Sequence, residues 1–405
     1  MRILHLIDHF NPVIGYQETY LAREQEALGH EVTVISSGVR LGWRGIWQAA
    51  RQPELQFSRE EGILTCRLPV LPAKPMSRRH VWMLRLKEAL YRIRPDVVHC
   101  HDTLSVASFF AALWQKEIGY VLIYDSHRTE YNTYQLGKKQ PSGMLHKAVY
   151  AILARTLARV IPVRADAMVA IGEPEQDFLC RLYQLPKDAV PIIRLGADRN
   201  RFSFSTNSRE EIRSYLGWDK ETVVLGHAGT LRPTKGIHRL IEAMGLLDSS
   251  GQDVRALIVG RANPAYLASL WERVEALHLK SCVAFEEFAP LDKLPRLFSA
   301  MDIAVWPGDI SITAIEAMSV GLPVIACRTP YTESVIEQYG AGILLDTLEV
   351  DELKTAVETL VRKPTLRLVK GECAKAAVVK ELNWRTIAQQ FLDLYQEKLE
   401  AKRNR

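Results

Sequence analysis

Nowhere in its 405 residues does the chain run apolar for the ~18–20 residues that a membrane-spanning helix requires. The opening MRILHLI reads as a strand and lacks the apolar segment and small-residue cleavage site of a signal peptide. A cytoplasmic location is therefore expected. Cysteine is sparse: six residues, at 66, 100, 180, 282, 327 and 373, with no Cys-x-x-Cys pair. That scatter suits buried reduced thiols better than a disulfide framework or a zinc site. His-Cys-His at 99–101 puts two imidazoles on one side of a strand, but no further ligand cluster stands near them, so no metal is expected there. Also missing is Gly-x-Gly-x-x-Gly after the first strand, where Gly15 is the single glycine, and no phosphate loop of the Walker type occurs. Dinucleotide redox chemistry and ATP hydrolysis are thereby disfavoured. There is no repeat of solenoid length and no low-complexity segment.

What the chain does have is an ordinary globular composition, 47% hydrophobic and 24% charged, at a length that calls for two domains. Its charge is uneven. Residues 1–198 hold 25 Lys and Arg against 20 Asp and Glu, and the remainder 27 against 27. The basic excess is densest at 74–94 and 146–164. It reads either as a solvated helix face or as a surface for an anionic membrane or acceptor. Nothing in the pattern calls for nucleic acid.

Short β-branched runs alternate with helical stretches along the first half: 3–7, 31–36, 96–100, 120–125, 167–171 and 190–196. Such nearly continuous apolar runs suit parallel strands covered on both faces. The helix at 20–28 closes on Gly29, as a C-terminal cap would. A polar stretch, 199–221, interrupts the alternation, which resumes at 222–229, 255–260, 282–288, 303–307, 323–327 and 341–346. The expected architecture is α/β: two tandem Rossmann-like domains, 1–198 and 222–382. A last helix, 383–402, with a long apolar stripe, is expected to pack back across the junction.

Two stretches can carry chemistry. In GHAGTLRPTKGI (226–237) a strand ends in glycines, and Arg232 and Lys235 follow within six residues of Gly229. Glycines let backbone approach a ligand, and a guanidinium and an ammonium can neutralise a diphosphate. In WPGDISITAIEAMSVGLPVIA (306–326) a helix begins near Ser311, and its free N–H groups and positive dipole end suit a phosphate. Glu316 lies a turn and a half further in among apolar neighbours, within reach of sugar or ribose hydroxyls.

Together these stretches resemble the family 4 glycosyltransferases of the GT-B fold, over nearly the whole chain. The resemblance begins in NPVIGYQETYLAREQEALGHEVTVIS (11–36) and continues through RPDVVHCHD (94–102), YDSH (124–127) and RLGAD (194–198). GTLRPTKG (229–236), IEAMSVGLPVIA (315–326) and Trp384 in the last helix complete it. The resemblance implies retaining transfer of a sugar from a nucleotide-sugar donor to an acceptor hydroxyl, in polysaccharide, glycolipid or other glycoconjugate synthesis. A cleft between the domains would hold the donor mostly on the second and a saccharide or lipid-linked acceptor mostly on the first. It implies no cofactor and no divalent metal.

Residue by residue, Lys235 matches the family's diphosphate lysine. Its usual arginine partner would stand at Thr230, and Arg232 is expected to replace it. Gly229, Thr230, Lys235, Gly308, Asp309, Ile310, Ser311, Ile312 and Glu316 line the implied donor site. Gly15, Tyr16, His101, Asp102 and His127 belong to the acceptor side, with His127 the preferred contact to the transferred sugar, beside Arg128 and Glu130. The family's Glu-x7-Glu motif is broken: Gly308 stands at the first acid and Asp309 is one residue out of register. Gly308 and Thr230 favour one alternative, a binding protein of the same fold that has lost donor use; a second alternative is a nucleotide-sugar epimerase or phosphorylase of that fold.

Overall fold

The computed structural model describes residues 1–13, 15–41, 47–49, 55–71, 81–127, 159–249, 251, 253–287, 289, 292–308 and 310–404. The expectations for Asp309, Arg128 and Glu130, and for the parts 74–80 and 146–158 of the two basic stretches, lie outside that set. The chain divides into two compact units, Met1–Arg194 with Ile387–Arg405, and Leu195–Thr386.

The first unit is built on β1 (Arg2–Ile7), β2 (Glu31–Ser37), β3 (Phe57–Glu60), β4 (Ile63–Leu68), β5 (Val97–Cys100), β6 (Val121–Ser126) and β7 (Ala167–Ala170). They line up in the order β7-β6-β5-β1-β2-β4-β3. Every pairing is parallel except β3 with β4. All four residues of β5 and all six of β6 are buried, as expected of strands covered on both faces. The β3–β4 hairpin was not legible in the alternation, because charged Arg59, Glu60 and Arg67 interrupt it. Arg67 is nevertheless buried, paired with Glu60 at 2.7 Å and donating to the Phe10 carbonyl oxygen at 3.0 Å. Expected as a strand, 190–196 forms only a bridge from Ile192 to Ala170.

The second unit holds β8 (Val223–Ala228), β9 (Val254–Val259), β10 (Val283–Glu286), β11 (Ile303–Trp306), β12 (Val324–Cys327) and β13 (Gly342–Leu345). Its sheet is wholly parallel, in the order β10-β9-β8-β11-β12-β13. The polar stretch 199–221 folds within this unit. Its helix, Thr206–Leu216, starts on Ser205, whose hydroxyl accepts from Ser208 N, and ends on Gly217 at φ 68°. Arg213 of that helix is buried and donates to the carbonyl oxygens of Ala300 and Thr222, while pairing with Asp302.

The last helix, Trp384–Arg403, contributes its residues from Ile387 onward to the first unit. Tyr395 is buried there, with its hydroxyl 2.6 Å from His99 Nδ1. No helix among the described residues is long and apolar enough to cross a membrane.

Candidate functional site

In each sheet the strand order reverses once, between β1 and β5 in the first unit and between β8 and β11 in the second. Ligands of doubly wound sheets bind at the carboxyl ends of the strands flanking such a reversal. The candidate residues cluster at both reversals.

In the second unit, β8 runs out through Gly229 and Leu231 into a 3-10 turn, Pro233–Lys235, and β11 runs out through Pro307 and Gly308 to the helix Ile312–Val320. The two loops are tied together. Lys235 Nζ donates to the Ile310 carbonyl oxygen at 3.0 Å, and Arg239 donates to that of Pro307 at 3.3 Å. Thr313 Oγ1 donates to the Ala228 carbonyl oxygen at 2.7 Å and lies 2.7 Å from Ser311 Oγ.

The backbones approach so closely that glycine is required. A Cβ on Gly308 would lie 2.1 Å from the Thr234 carbonyl oxygen, and one on Gly236, at φ 72°, 2.8 Å from that of Pro307. This is the physical context of the broken acidic motif: the position of the first acid is filled by loop backbone packed on the lysine turn.

Ser311 is the N-cap of its helix but makes no side-chain cap hydrogen bond. Its hydroxyl turns to Thr313 instead, so no side chain from the cap position occupies the helix mouth. Ile310 and Ile312 flank it, each partly exposed. Thr230 and Arg232 are exposed, and Arg232 makes no ion pair among the described residues. Glu316 is 2% exposed. Burial raises its carboxyl to about 8, against the pull of Arg201 and with the push of Asp198. At neutral pH it is therefore mostly protonated, able to donate to a hydroxyl as well as accept from one. His227 of β8, absent from the sequence reading, is also buried, its Nδ1 donating to the Val305 carbonyl oxygen at 2.9 Å. Burial lowers its imidazole to about 4.

In the first unit, Gly15 adopts φ 67° just before the helix Gln17–Ala27. Tyr16, about half exposed, has its ring centroid 6.2 Å from that of His127. Asp102 Oδ1 accepts from Leu104 N at 2.9 Å, a turn-forming role. The histidine pair at 99 and 101 proves to be part of a larger group. Register sets His5 of β1 opposite His99 of β5, and the adjacent β6 supplies Asp125.

His101 Nδ1 lies 2.7 Å from Asp125 Oδ2, and His101 Nε2 lies 2.8 Å from His5 Nδ1. His5 Nε2 in turn meets Gln25 Oε1 at 2.8 Å. His99 Nε2 is 3.1 Å from Asp125 Oδ2, off the hydrogen-bond axis. His5, His99 and His101 could together surround a metal ion, as could His101, Asp125 and His127. Every ring nitrogen of the first three, however, already faces a protein polar atom within 3.1 Å. Both His101 nitrogens are thus engaged by protein groups, His5 and Asp125. The His127 side chain is 27% exposed, with Nε2 3.9 Å from Asp125 Oδ1.

Comparison with known proteins accounts for both units. The family profile Glycosyltransferase Family 4 matches residues 19–201, and Glycosyl transferases group 1 matches 208–377. Alpha-D-kanosaminyltransferase of Streptomyces kanamyceticus is 26% identical over 322 residues, 78% of this chain and 81% of that one. D-inositol 3-phosphate glycosyltransferase of Saccharomonospora viridis is 23% identical, covering 94% and 91%. Among solved structures, Anabaena HepE in complex with UDP is similar in fold, with a TM-score of 0.74 and 18% identity over 98% of this chain and 100% of that one. The lipopolysaccharide glycosyltransferase WaaG is similar with a TM-score of 0.65 and 18% identity, over 97% and 99%. The chain belongs to the family 4 glycosyltransferases and has their GT-B fold.

Proposed function

We propose that the protein transfers a sugar from a nucleotide-sugar to an acceptor hydroxyl with retention of configuration and without a divalent metal. One observation carries this reading: Lys235 is anchored at the mouth of the Ile312–Val320 helix, whose N-cap side chain leaves the mouth open. An ammonium and a helix N-terminus side by side suit a diphosphate, and a departing diphosphate is where negative charge builds up in this reaction. Arg232 adds a second cation, and protonated Glu316 a hydroxyl contact. Gly229, Thr230 and residues 308–312 would line the donor. Related structures are consistent with such a donor, HepE having been solved with UDP-glucose.

On the acceptor side, Gly15, Tyr16, Asp102 and His127 would receive a saccharide or lipid-linked acceptor, in polysaccharide, glycolipid or other glycoconjugate synthesis. The basic excess of the first half supports peripheral contact with an anionic membrane from the cytoplasmic side. Titration calorimetry with UDP-, GDP- and ADP-glucose tests the donor. Binding of one of them is expected, and no binding of any at millimolar concentration overturns the reading in favour of a non-catalytic relative. Proton NMR of the first-formed product tests retention.

A further inference from the structure

The polar atoms around His5, His99 and His101 can be assigned their protons one by one. The Gln25 carbonyl oxygen only accepts, so His5 Nε2 carries a proton. His5 is fully buried, which holds it well below the ordinary histidine range with His101 and His99 adding to the effect. It is therefore neutral, and its Nδ1 is an acceptor. The proton on the 2.8 Å contact between His5 Nδ1 and His101 Nε2 then belongs to His101.

At its other nitrogen His101 faces Asp125. Burial alone would raise that carboxyl, but His101 and His99 beside it hold it well below its usual range. A carboxylate only accepts, so His101 Nδ1 carries a proton too.

The opposite placement of the Gln25 amide would break this account. Its carbonyl oxygen would then face the Tyr395 hydroxyl at 3.5 Å, while that hydroxyl also meets His99 Nδ1 at 2.6 Å. His99 Nδ1 would then have to donate to Tyr395, which sets the bare Nε2 lone pair of a neutral His99 against Asp125 Oδ2 at 3.1 Å. In the observed placement Gln25 Nε2 donates to Tyr395, Tyr395 donates to His99 Nδ1, and His99 Nε2–H turns toward Asp125.

We propose that His101 is a buried imidazolium, donating to His5 and Asp125, which acts as a positioning residue by holding His127 neutral with its proton on Nε2. The His127 step follows from geometry. Among the described residues Asp125 Oδ1 has no hydrogen-bond partner, and His127 Nε2 is 3.9 Å from it. The carboxylate draws the single proton of His127 to that nitrogen and leaves Nδ1 as an acceptor for a hydroxyl. The cation at His101 opposes a second proton on His127.

Among the described residues the charged and titratable groups facing this assembly are His5 of β1, Tyr16 and Glu18 at the helix Gln17–Ala27, His99 and Asp102 at β5, Asp125 of β6 and Tyr395 of the last helix. Burial raises Glu18 to about 7, with His101 pulling it back. Burial lowers His127, with Asp125 opposing and His101 assisting. Only the hydroxyl contact rests on the proposed transferase reading. The charge assignment does not.

The test uses the full chain without ligand, labelled with 15N-histidine and observed by two-bond 1H–15N correlation, signals assigned by single substitution. At pH 7 His101 should show two protonated nitrogens, with His5, His99 and His127 neutral. A neutral His101 overturns the proposal. Gln25→Leu removes the acceptor that fixes His5, so His101 should become neutral and the His127 midpoint should rise by about half a unit or more. Gln25→Glu keeps an oxygen acceptor and should leave His101 doubly protonated. An unmoved His127 midpoint in Gln25→Leu overturns the coupling, and if that variant does not fold, the wild-type spectrum still decides the charge. A stoichiometric metal on the purified protein, whose removal by chelator shifts these signals, also overturns it, since a ligating nitrogen carries no proton. Because no donor is added, failure here is distinct from failure to bind a nucleotide-sugar.

Discussion

The Lys235 ammonium donates to the Ile310 carbonyl oxygen across a gap of 3.0 Å, so one side chain joins the turn after β8 to the loop after β11. That bond presents the cation at a helix mouth, and it explains why a lysine on one loop and a serine on another form a single site. Lys235→Ala should lower turnover by about 10²–10³-fold, the usual loss when one preorganised charge partner of a developing anion is removed. Its melting temperature should stay close to wild type. Turnover at the wild-type rate would remove Lys235 from the diphosphate role.

Restoring the family's first acid should fail. In Gly308→Glu the new Cβ would meet the Thr234 carbonyl oxygen at 2.1 Å, and the loop must move off the lysine turn. Overpacking of this kind costs about 1–3 kcal/mol. Chemical denaturation should show that loss, and calorimetry should show weaker donor binding. A variant as stable as wild type with tighter donor binding would reverse the interpretation.

Glu316 makes stability depend on pH in a defined direction. Its folded-state value of about 8 lies above the ordinary glutamate value of 4.5. Between those values the unfolded chain has lost a proton that the native state keeps, so this residue's contribution weakens as pH rises from about 5 to 8. Glu316→Gln should flatten that slope and gain on wild type toward pH 8. Urea midpoints at both pH values measure it, and parallel curves for the two proteins would count against a protonated Glu316.

Asp302 receives Arg213 and Arg209, and also accepts from Val224 N at 2.8 Å. Asp302→Ala leaves the buried Arg213 guanidinium without its counter-charge, a loss of about 3–5 kcal/mol. The second unit should unfold earlier in a thermal scan. An unchanged transition would mean that the helix Thr206–Leu216 is not held through this pair.

Chelation provides a test of the metal-free mechanism. Transfer activity should survive exhaustive dialysis against EDTA unchanged. Loss of activity that magnesium or manganese restores would assign the charge neutralisation to an ion rather than to Lys235 and the helix.

Much of this protein follows from local rules acting along the chain. Alternation of β-branched runs with helical stretches set the doubly wound class, because strands covered on both faces must be apolar throughout. The glycine-rich end of β8, with Lys235 six residues on, and the helix start at Ser311 were legible for the same reason: turns and caps depend on nearby residues. Pairing across the sheets was not. His5, Gln25, Asp125 and Tyr395 lie as far apart as 390 positions in the sequence order shown by the chain, and only strand register and the return of the last helix gather them around His99 and His101. The same limit hid the reason for Gly308, whose missing side chain answers to the Thr234 backbone 74 residues earlier. Sequence by itself determined most of the parallel strands and the positions of the Lys235 and Ser311 loops, but not the β3–β4 hairpin. Tertiary structure decided which nitrogen carries a proton and which loop leaves no room for a side chain, because both depend on atoms brought together through space.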